Sequence, residues 1–243
     1  MGESRIITIA NQKGGVGKST LCMLLANYLN KVVHIPVGAI IDTDFQKSIV
    51  KKRDEDHKKY MGTTVVDPYQ VVSYSLSNHS QIPEFIDQLK KTNHTYIIDT
   101  PGSLNDNGVF SFLALADFII CPFNYSELSL TSTTRFLMYW QNLKEEARSK
   151  TGFEINTEMI LVPCLKPKSI GTESERQLWN LIKSEFEKLY RVAPEIPHSS
   201  NIMVRVDTMD ITPGQLKAAG ETLEYIADLI YNPNKDNNEN SDE

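Results

Sequence analysis

Apolar and polar positions alternate along this chain in blocks of two lengths. Short, nearly continuous apolar runs occur at Ile6, Ile7 and Ile9, at Ala39 to Ile41, at Tyr96 to Ile98, at Asp117 to Cys121 and at Met159 to Cys164. Runs of this kind, buried on both faces, are the mark of parallel strands. Between them lie longer stretches with helical spacing. Leu21, Cys22, Leu24, Leu25, Ala26 and Leu29 form one such set, Ile82, Phe85, Ile86 and Leu89 a second, and Val109 to Ala116 a third. Further helices are predicted over 127–150, 172–190 and 214–230. Strands alternating with helices predict an α/β fold with a mostly parallel sheet flanked by helices.

Two segments are ambiguous by pattern alone. The stretch 46–61 mixes charges of both signs, including Lys51-Lys52-Arg53-Asp54-Glu55-Asp56, and reads as a solvated helix face. In 127–150, Leu128, Leu130, Phe136, Leu137, Tyr139, Trp140 and Leu143 read as the side that packs on the sheet.

The first strand runs into Ala10-Asn11-Gln12-Lys13-Gly14-Gly15-Val16-Gly17-Lys18-Ser19-Thr20, and a helix follows. A glycine-rich loop between a strand and a helix is a phosphate cradle. Its backbone curls around an anion, and the unpaired N–H groups at the helix start point at it. Lys18 adds a positive charge and Ser19 a hydroxyl for magnesium. Lys13 is a second cation, one more than the cradle itself requires.

Two strand ends carry acids. The strand at 39–41 ends in Asp42-Thr43-Asp44, and that at 96–98 ends in Asp99-Thr100-Pro101-Gly102. Acids at the carboxyl ends of parallel strands lie at the edge where open α/β sheets bind ligands. An apolar strand ending in Asp, in a chain that already carries Lys18 and Ser19, places Asp99 at a magnesium site. Asp42 and Asp44 face one way only if the strand persists through both of them.

These motifs closely resemble the deviant Walker A ATPases of the ParA/MinD family, and the likeness is to the small ParA proteins. It is carried by Lys13-Gly14-Gly15-Val16-Gly17-Lys18-Ser19-Thr20, by Asp42 to Ser48 as a first switch, and by Asp99-Thr100-Pro101-Gly102 as a second. The resemblance implies a P-loop NTPase fold and residues 13–20 and Gly102 around ATP. It also implies Lys13 reaching across a nucleotide-sandwich dimer, Asp42 supporting the magnesium shell with Ser19 and Asp99, and Asp44 positioning the attacking water. Phe45 stands where the family usually has proline. The catalytic set implied is thus Lys13, Lys18 and Asp44. An ATP-dependent homodimer, non-specific duplex DNA and a ParB-like activating protein are the partners implied.

Composition adds little and removes some options. The chain has 243 residues, a formal charge of -6 and three cysteines, Cys22, Cys121 and Cys164, all in apolar runs and without metal-site spacing. That usage fits a reducing, cytoplasmic setting. Residues 1–231 read as a single nucleotide-binding domain, and 232–243 as a disordered acidic tail. Such a tail differs from the basic amphipathic end of MinD proteins, so no membrane contact is expected there. DNA contact has only scattered basic candidates, Lys166, Lys168, Arg176, Lys183, Lys188, Arg191, Arg205 and Lys217, with Glu173, Glu175, Glu185 and Glu187 nearby. A nucleotide-gated partner-binding module for conjugation or another cargo, without direct DNA binding, is the alternative reading. A small-molecule kinase or ligase on the same scaffold is a third.

Overall fold

The computed structural model describes residues 4–103, 107–166 and 172–232. The tail beyond 232, Lys168 and Gly171 lie outside the described residues, as do the side chains of Leu165 and Lys166. The strands are β1 (Arg5–Ile9), β2 (Val37–Asp42), β3 (Gln70–Ser73), β4 (Thr95–Asp99), β5 (Phe118–Phe123), β6 (Glu158–Lys166), β7 (Arg191–Val192) and β8 (Ile196–Pro197). They form one sheet in the order β3-β2-β4-β1-β5-β6-β7, with β8 also on β6, and every pairing is parallel.

The helices are α1 (Lys18–Lys31), α2 (Ser48–Lys59), α3 (Ile82–Lys90), α4 (Asn107–Leu115), α5 (Glu127–Thr151), α6 (Glu173–Glu187), α7 (Ser200–Met203) and α8 (Pro213–Tyr231). Successive residues of each central strand feed opposite cores. Ile7, Ile40, Ile97, Ile120 and Ile160 pack with α1 and α8, whereas Ile6, Ile41, Ile98, Ile119 and Leu161 pack with α3, α4 and α5. This two-sided burial is why the strands read as unbroken apolar runs.

The chain lays down β2, β3 and β4 on one side of β1 and then crosses to β5 on the other. The carboxyl end of β1 is therefore a point where the direction of winding reverses, the usual ligand crevice of such sheets.

Two expectations about helix faces are corrected. In α5, Phe136, Leu137 and Trp140 are buried as predicted, but Leu128 is 71% exposed and Tyr139 41%. They stand off the stripe that meets the sheet. In α2, the solvated-face reading fails at Arg53 and Asp56, which are 5% and 0% exposed. With Ile49 they are the buried positions of that helix, spaced four and three residues apart on one face.

Candidate nucleotide site

The loop between β1 and α1 holds Gly15 at φ 76° and Gly17 at φ 99°, left-handed values that side chains resist. A Cβ built at either would point into open space, so backbone conformation and not crowding selects glycine here. Gly17 also occupies the cap position of α1, where no side chain bonds the first-turn N–H groups. Helix-start donors without a side-chain cap suit an anion.

Val16 is buried and fixes the loop from below, while Gly14 and Gly15 are exposed at its rim. Lys18 is 7% exposed, and its Nζ donates to the Lys13 carbonyl at 3.0 Å. Burial draws the Lys18 ammonium below the usual lysine pKa, and the charges of Asp99 and Asp44 act against that shift. Lys13 is half-buried, and its N–H donates to Asn11 Oδ1 at 3.1 Å. Asn11, fully buried, in turn donates through Nδ2 to the Pro122 carbonyl at 2.8 Å and to Thr133 Oγ1 at 2.9 Å. No local pattern marks Asn11 as the tie between the loop, β5 and α5, because its partners lie more than 100 residues away.

Ser19 Oγ donates to Asp99 Oδ2 at 2.6 Å, and Asp99 Oδ1 is buried with no hydrogen-bond partner among the described residues. Burial pushes the Asp99 carboxyl up to about 7; the Ser19 hydroxyl opposes the shift and the Asp42 charge adds to it. A hydroxyl and a carboxylate with a spare, desolvated oxygen are donors that fit a small hard cation such as Mg²⁺.

Asp42 and Asp99 are register partners on adjacent strands. Asp42 is nevertheless committed elsewhere. Its Oδ2 accepts from the N–H groups of Ile49 at 3.0 Å and Val50 at 3.2 Å, and Oδ1 accepts from that of Asp44 at 3.2 Å. It thus caps α2 from within β2. Burial raises its pKa, with those three N–H groups opposing.

The strand ends at Asp42, so Asp44 sits in the following turn, partly exposed, with Oδ1 accepting from the Gln46 N–H at 2.9 Å. Phe45 beside it is 95% exposed. The turn leads through Lys47, at φ 50°, into α2. On the other flank, a Cβ at Gly102 would come within 3.2 Å of the Gly14 nitrogen, so the segment after β4 lies directly on the phosphate loop.

Beside the loop opens an apolar cavity of about 200 Å³, lined by Gly15, Gly17, Thr20, Leu24, Ile196 and Ile202 among others. Ile196 and Pro197 form β8, which the family resemblance puts near the base of the nucleotide. Leu24 and Ile202 were not singled out by sequence, because each reads as ordinary core.

The basic candidates for DNA contact are partly engaged. Arg176 lies 3.5 Å from Glu173, Lys183 3.6 Å from Glu187 and Lys188 2.6 Å from Glu185, all on or beside α6. Glu175 is used instead in a capping box with Thr172. Arg205 donates to Asn201 Oδ1 at 3.2 Å, and Lys217 is exposed. Among the described residues, no helix is long and apolar enough to cross a membrane.

Several solved structures share this fold. Cyanothece McdA in complex with ATP superposes with a TM-score of 0.70 at 14% identity, covering 95% of this chain and 97% of that one. A plasmid partition protein of Borrelia burgdorferi bound to AMPPNP gives 0.66 at 20% identity, covering 93% and 99%. Cobyrinic acid a,c-diamide synthase of Mycobacterium smegmatis with ADP and magnesium gives 0.60 at 17%, covering 94% and 96%. A search of curated proteins finds no match. The family model described as the CobQ/CobB/MinD/ParA nucleotide binding domain matches residues 7–203, most of the chain and every element that builds the crevice. The chain belongs to this ParA/MinD/CobQ family of P-loop ATPases.

Proposed function

We propose that the chain is an ATP-dependent dimerising switch that hydrolyses ATP to ADP and phosphate and acts in partitioning or positioning DNA in the cytoplasm, on one domain spanning 1–231. The observation that carries the nucleotide part is the pairing of the loop hydroxyl of Ser19 with Asp99, whose second oxygen is buried and has no partner among the described residues. That arrangement sits at the foot of a loop whose helix start has no side-chain cap among the described residues. The DNA part rests on the resemblance to small ParA proteins and on the likeness to a plasmid partition protein.

In this reading the N–H groups of residues 14–20 hold the phosphates, and Gly102 closes on them from the opposite side. The base lies in the apolar cavity beside Thr20, Leu24, Ile196 and Ile202. Ser19 and Asp99 would hold magnesium, with Asp42 behind them, and the ion when bound would offset phosphate charge. Asp44 orients a water whose oxygen bonds to the terminal phosphorus, and the proton that this water loses passes to an oxygen of the transferred phosphoryl group, which leaves as inorganic phosphate. The bond from that phosphorus to the bridging oxygen breaks, and the bridging oxygen keeps its electron pair on ADP. Lys18 leaves the Lys13 carbonyl for the phosphates, and Lys13 from a second copy adds charge where it develops.

The pairing of Arg176, Lys183 and Lys188 with acids favours a second reading, a nucleotide-gated module that grips a protein cargo and leaves DNA alone. Co-sedimentation with non-specific duplex DNA, with and without ATP, separates the two. ATP-dependent recovery with DNA is expected, and its absence in a protein that hydrolyses ATP supports the cargo module. Phosphoryl transfer to a metabolite in place of water would overturn both.

A further inference from the structure

α2 is a helix with almost nothing apolar to hold it. Ile49 is its one buried hydrophobic residue, and the other buried positions are Arg53 and Asp56. A twelve-residue helix this rich in charge is marginal without tertiary contacts. The turn that carries Asp44 is held on its strand side by Thr43, whose N–H and Oγ1 donate to the Asp99 carbonyl at 3.0 and 2.7 Å, and on its helix side by the Lys47 N–H, which donates to the Asp44 carbonyl at 2.9 Å. Phe45, Gln46 and Lys47 are exposed, so the helix-side half of the turn moves with α2 and Asp44 lies where the two anchors meet.

Arg53 and Asp56 bolt α2 to the segment 206–211. Arg53 donates from Nε to Thr208 Oγ1 at 2.8 Å, from Nη2 to the Thr208 carbonyl at 3.0 Å and from Nη1 to the Tyr69 carbonyl at 2.9 Å. Asp56 Oδ2 accepts from the Thr208 N–H at 2.8 Å and from its hydroxyl at 2.9 Å, and Lys52 holds the other oxygen at 2.6 Å. The Thr208 hydroxyl thus links the two side chains, accepting from Arg53 and donating to Asp56.

The segment carrying Thr208 is itself anchored to the helix of the phosphate loop. Asn27 of α1 donates through Nδ2 to the carbonyls of Asp207 and Asp210, both at 2.8 Å, and its Oδ1 accepts from the Tyr69 hydroxyl at 3.0 Å. One frame therefore runs from α1, which presents Lys18 and Ser19, through Thr208 to α2, whose preceding turn carries Asp44.

Burying charged side chains is a poor way to add stability, because desolvation consumes most of what their hydrogen bonds return, and apolar side chains would serve as well. What such a network adds is a single allowed geometry. We propose that Arg53, Asp56 and Thr208 are positioning residues for ATP hydrolysis, which set the first-switch acid Asp44 against the phosphate loop without touching nucleotide. The inference rests on the hydrolytic role given to Asp44 above.

Thr208→Val removes the linking hydroxyl at nearly constant shape and leaves Arg53 Nε without its acceptor. Asp56→Ala removes the carboxylate side, and Thr208→Ser restores the hydroxyl. Each is measured by single-turnover ATP hydrolysis and by ATP affinity, in the parent and in an Asp44→Ala background followed to long times. A misplacement of about 1 Å costs on the order of 100-fold in rate. Thr208→Val and Asp56→Ala should therefore lose about 10- to 100-fold in hydrolysis with ATP affinity nearly constant, and Thr208→Ser should recover the parent rate. In the Asp44→Ala background neither should lose anything further. A parent-like rate in Thr208→Val, a loss expressed in ATP affinity, or an undiminished loss without Asp44 overturns the inference. Should Asp44→Ala itself hydrolyse ATP at the parent rate, the reading beneath it falls. That outcome is distinct from an unaffected Thr208→Val beside an inactive Asp44→Ala.

Discussion

Asp99 accepts the Ser19 hydroxyl on one carboxylate oxygen at 2.6 Å and keeps the other buried, with no hydrogen-bond partner among the described residues. With its pKa pushed up to about 7 by burial, Asp99 is mainly protonated below neutrality in the empty fold. A divalent cation needs the carboxylate, so binding must release that proton.

Magnesium affinity should accordingly rise between pH 6 and pH 8 and level off above. The sign for stability runs the other way. Relative to its ordinary value of 3.8, a raised carboxyl pKa favours the folded state at low pH. The Asp99 contribution is therefore lost as pH rises from about 4 through about 7, and magnesium restores it. Thermal denaturation with and without magnesium at the two pH values checks this. A stabilisation by magnesium equal at pH 6 and pH 8 contradicts it, and Asp99→Asn should abolish the pH dependence.

Lys18→Ala should weaken ATP binding by on the order of 10²- to 10³-fold, since truncating a buried partner of an anion costs about 2–5 kcal/mol. Calorimetric titration with magnesium present measures it. Affinity within a few-fold of the parent would remove Lys18 from the phosphate site.

Lys13→Ala should separate binding from assembly. Its backbone N–H and carbonyl hold Asn11 and Lys18 whatever the side chain, so the loop survives the change. The variant should bind ATP as a monomer and fail to form the ATP-loaded dimer in light scattering at matched concentration. A dimer of undiminished strength would refute a role across the subunit boundary.

DNA binding by the hydrolysis-deficient Asp44→Ala dimer should fall steeply with salt, because each neutralised phosphate adds a counterion-release contribution of about 0.9 to the log-log slope. The α6 ion pairs are surface pairs worth roughly 0–1 kcal/mol, so phosphates can displace them at small cost. Two weak basic patches aligned on one duplex would give the dimer a steeper slope than the nucleotide-free chain. No affinity for the ATP-bound dimer at low salt would leave only the cargo module standing.

The phosphate loop and Asp99 could be read from sequence because a glycine pattern between a strand and a helix, or an apolar run ending in Asp, is local. Asp42 and Asp44 were legible as a pair but not as individuals. Their separation into a helix cap and a turn residue depends on the strand stopping at Asp42, which periodicity does not reveal. Arg53 and Asp56 were hidden for a different reason. Their partner Thr208 lies about 150 residues away, and a helix of alternating charges looks solvated until something arrives to bury it. The trace that remained was the spacing of Ile49, Arg53 and Asp56, one face of a helix with a single apolar member. Leu128 and Tyr139 failed conversely, as apolar residues on the outer side of α5.

Asn11 makes the phosphate loop and α5 a single mechanical piece. It holds Lys13 by one end and Thr133 by the other, and Thr133 stands near the start of a helix of 25 residues. At 1.5 Å per residue that helix is roughly 37 Å long, so a rocking of about 5° displaces its far end by about 3 Å and its near end much less. Were α5 to rock about Thr133, its short arm would be the one at the phosphate loop. A displacement of its exposed outer turns would then reach the Lys13 peptide geared down, and the Lys13 side chain and the carbonyl on which Lys18 rests would shift together.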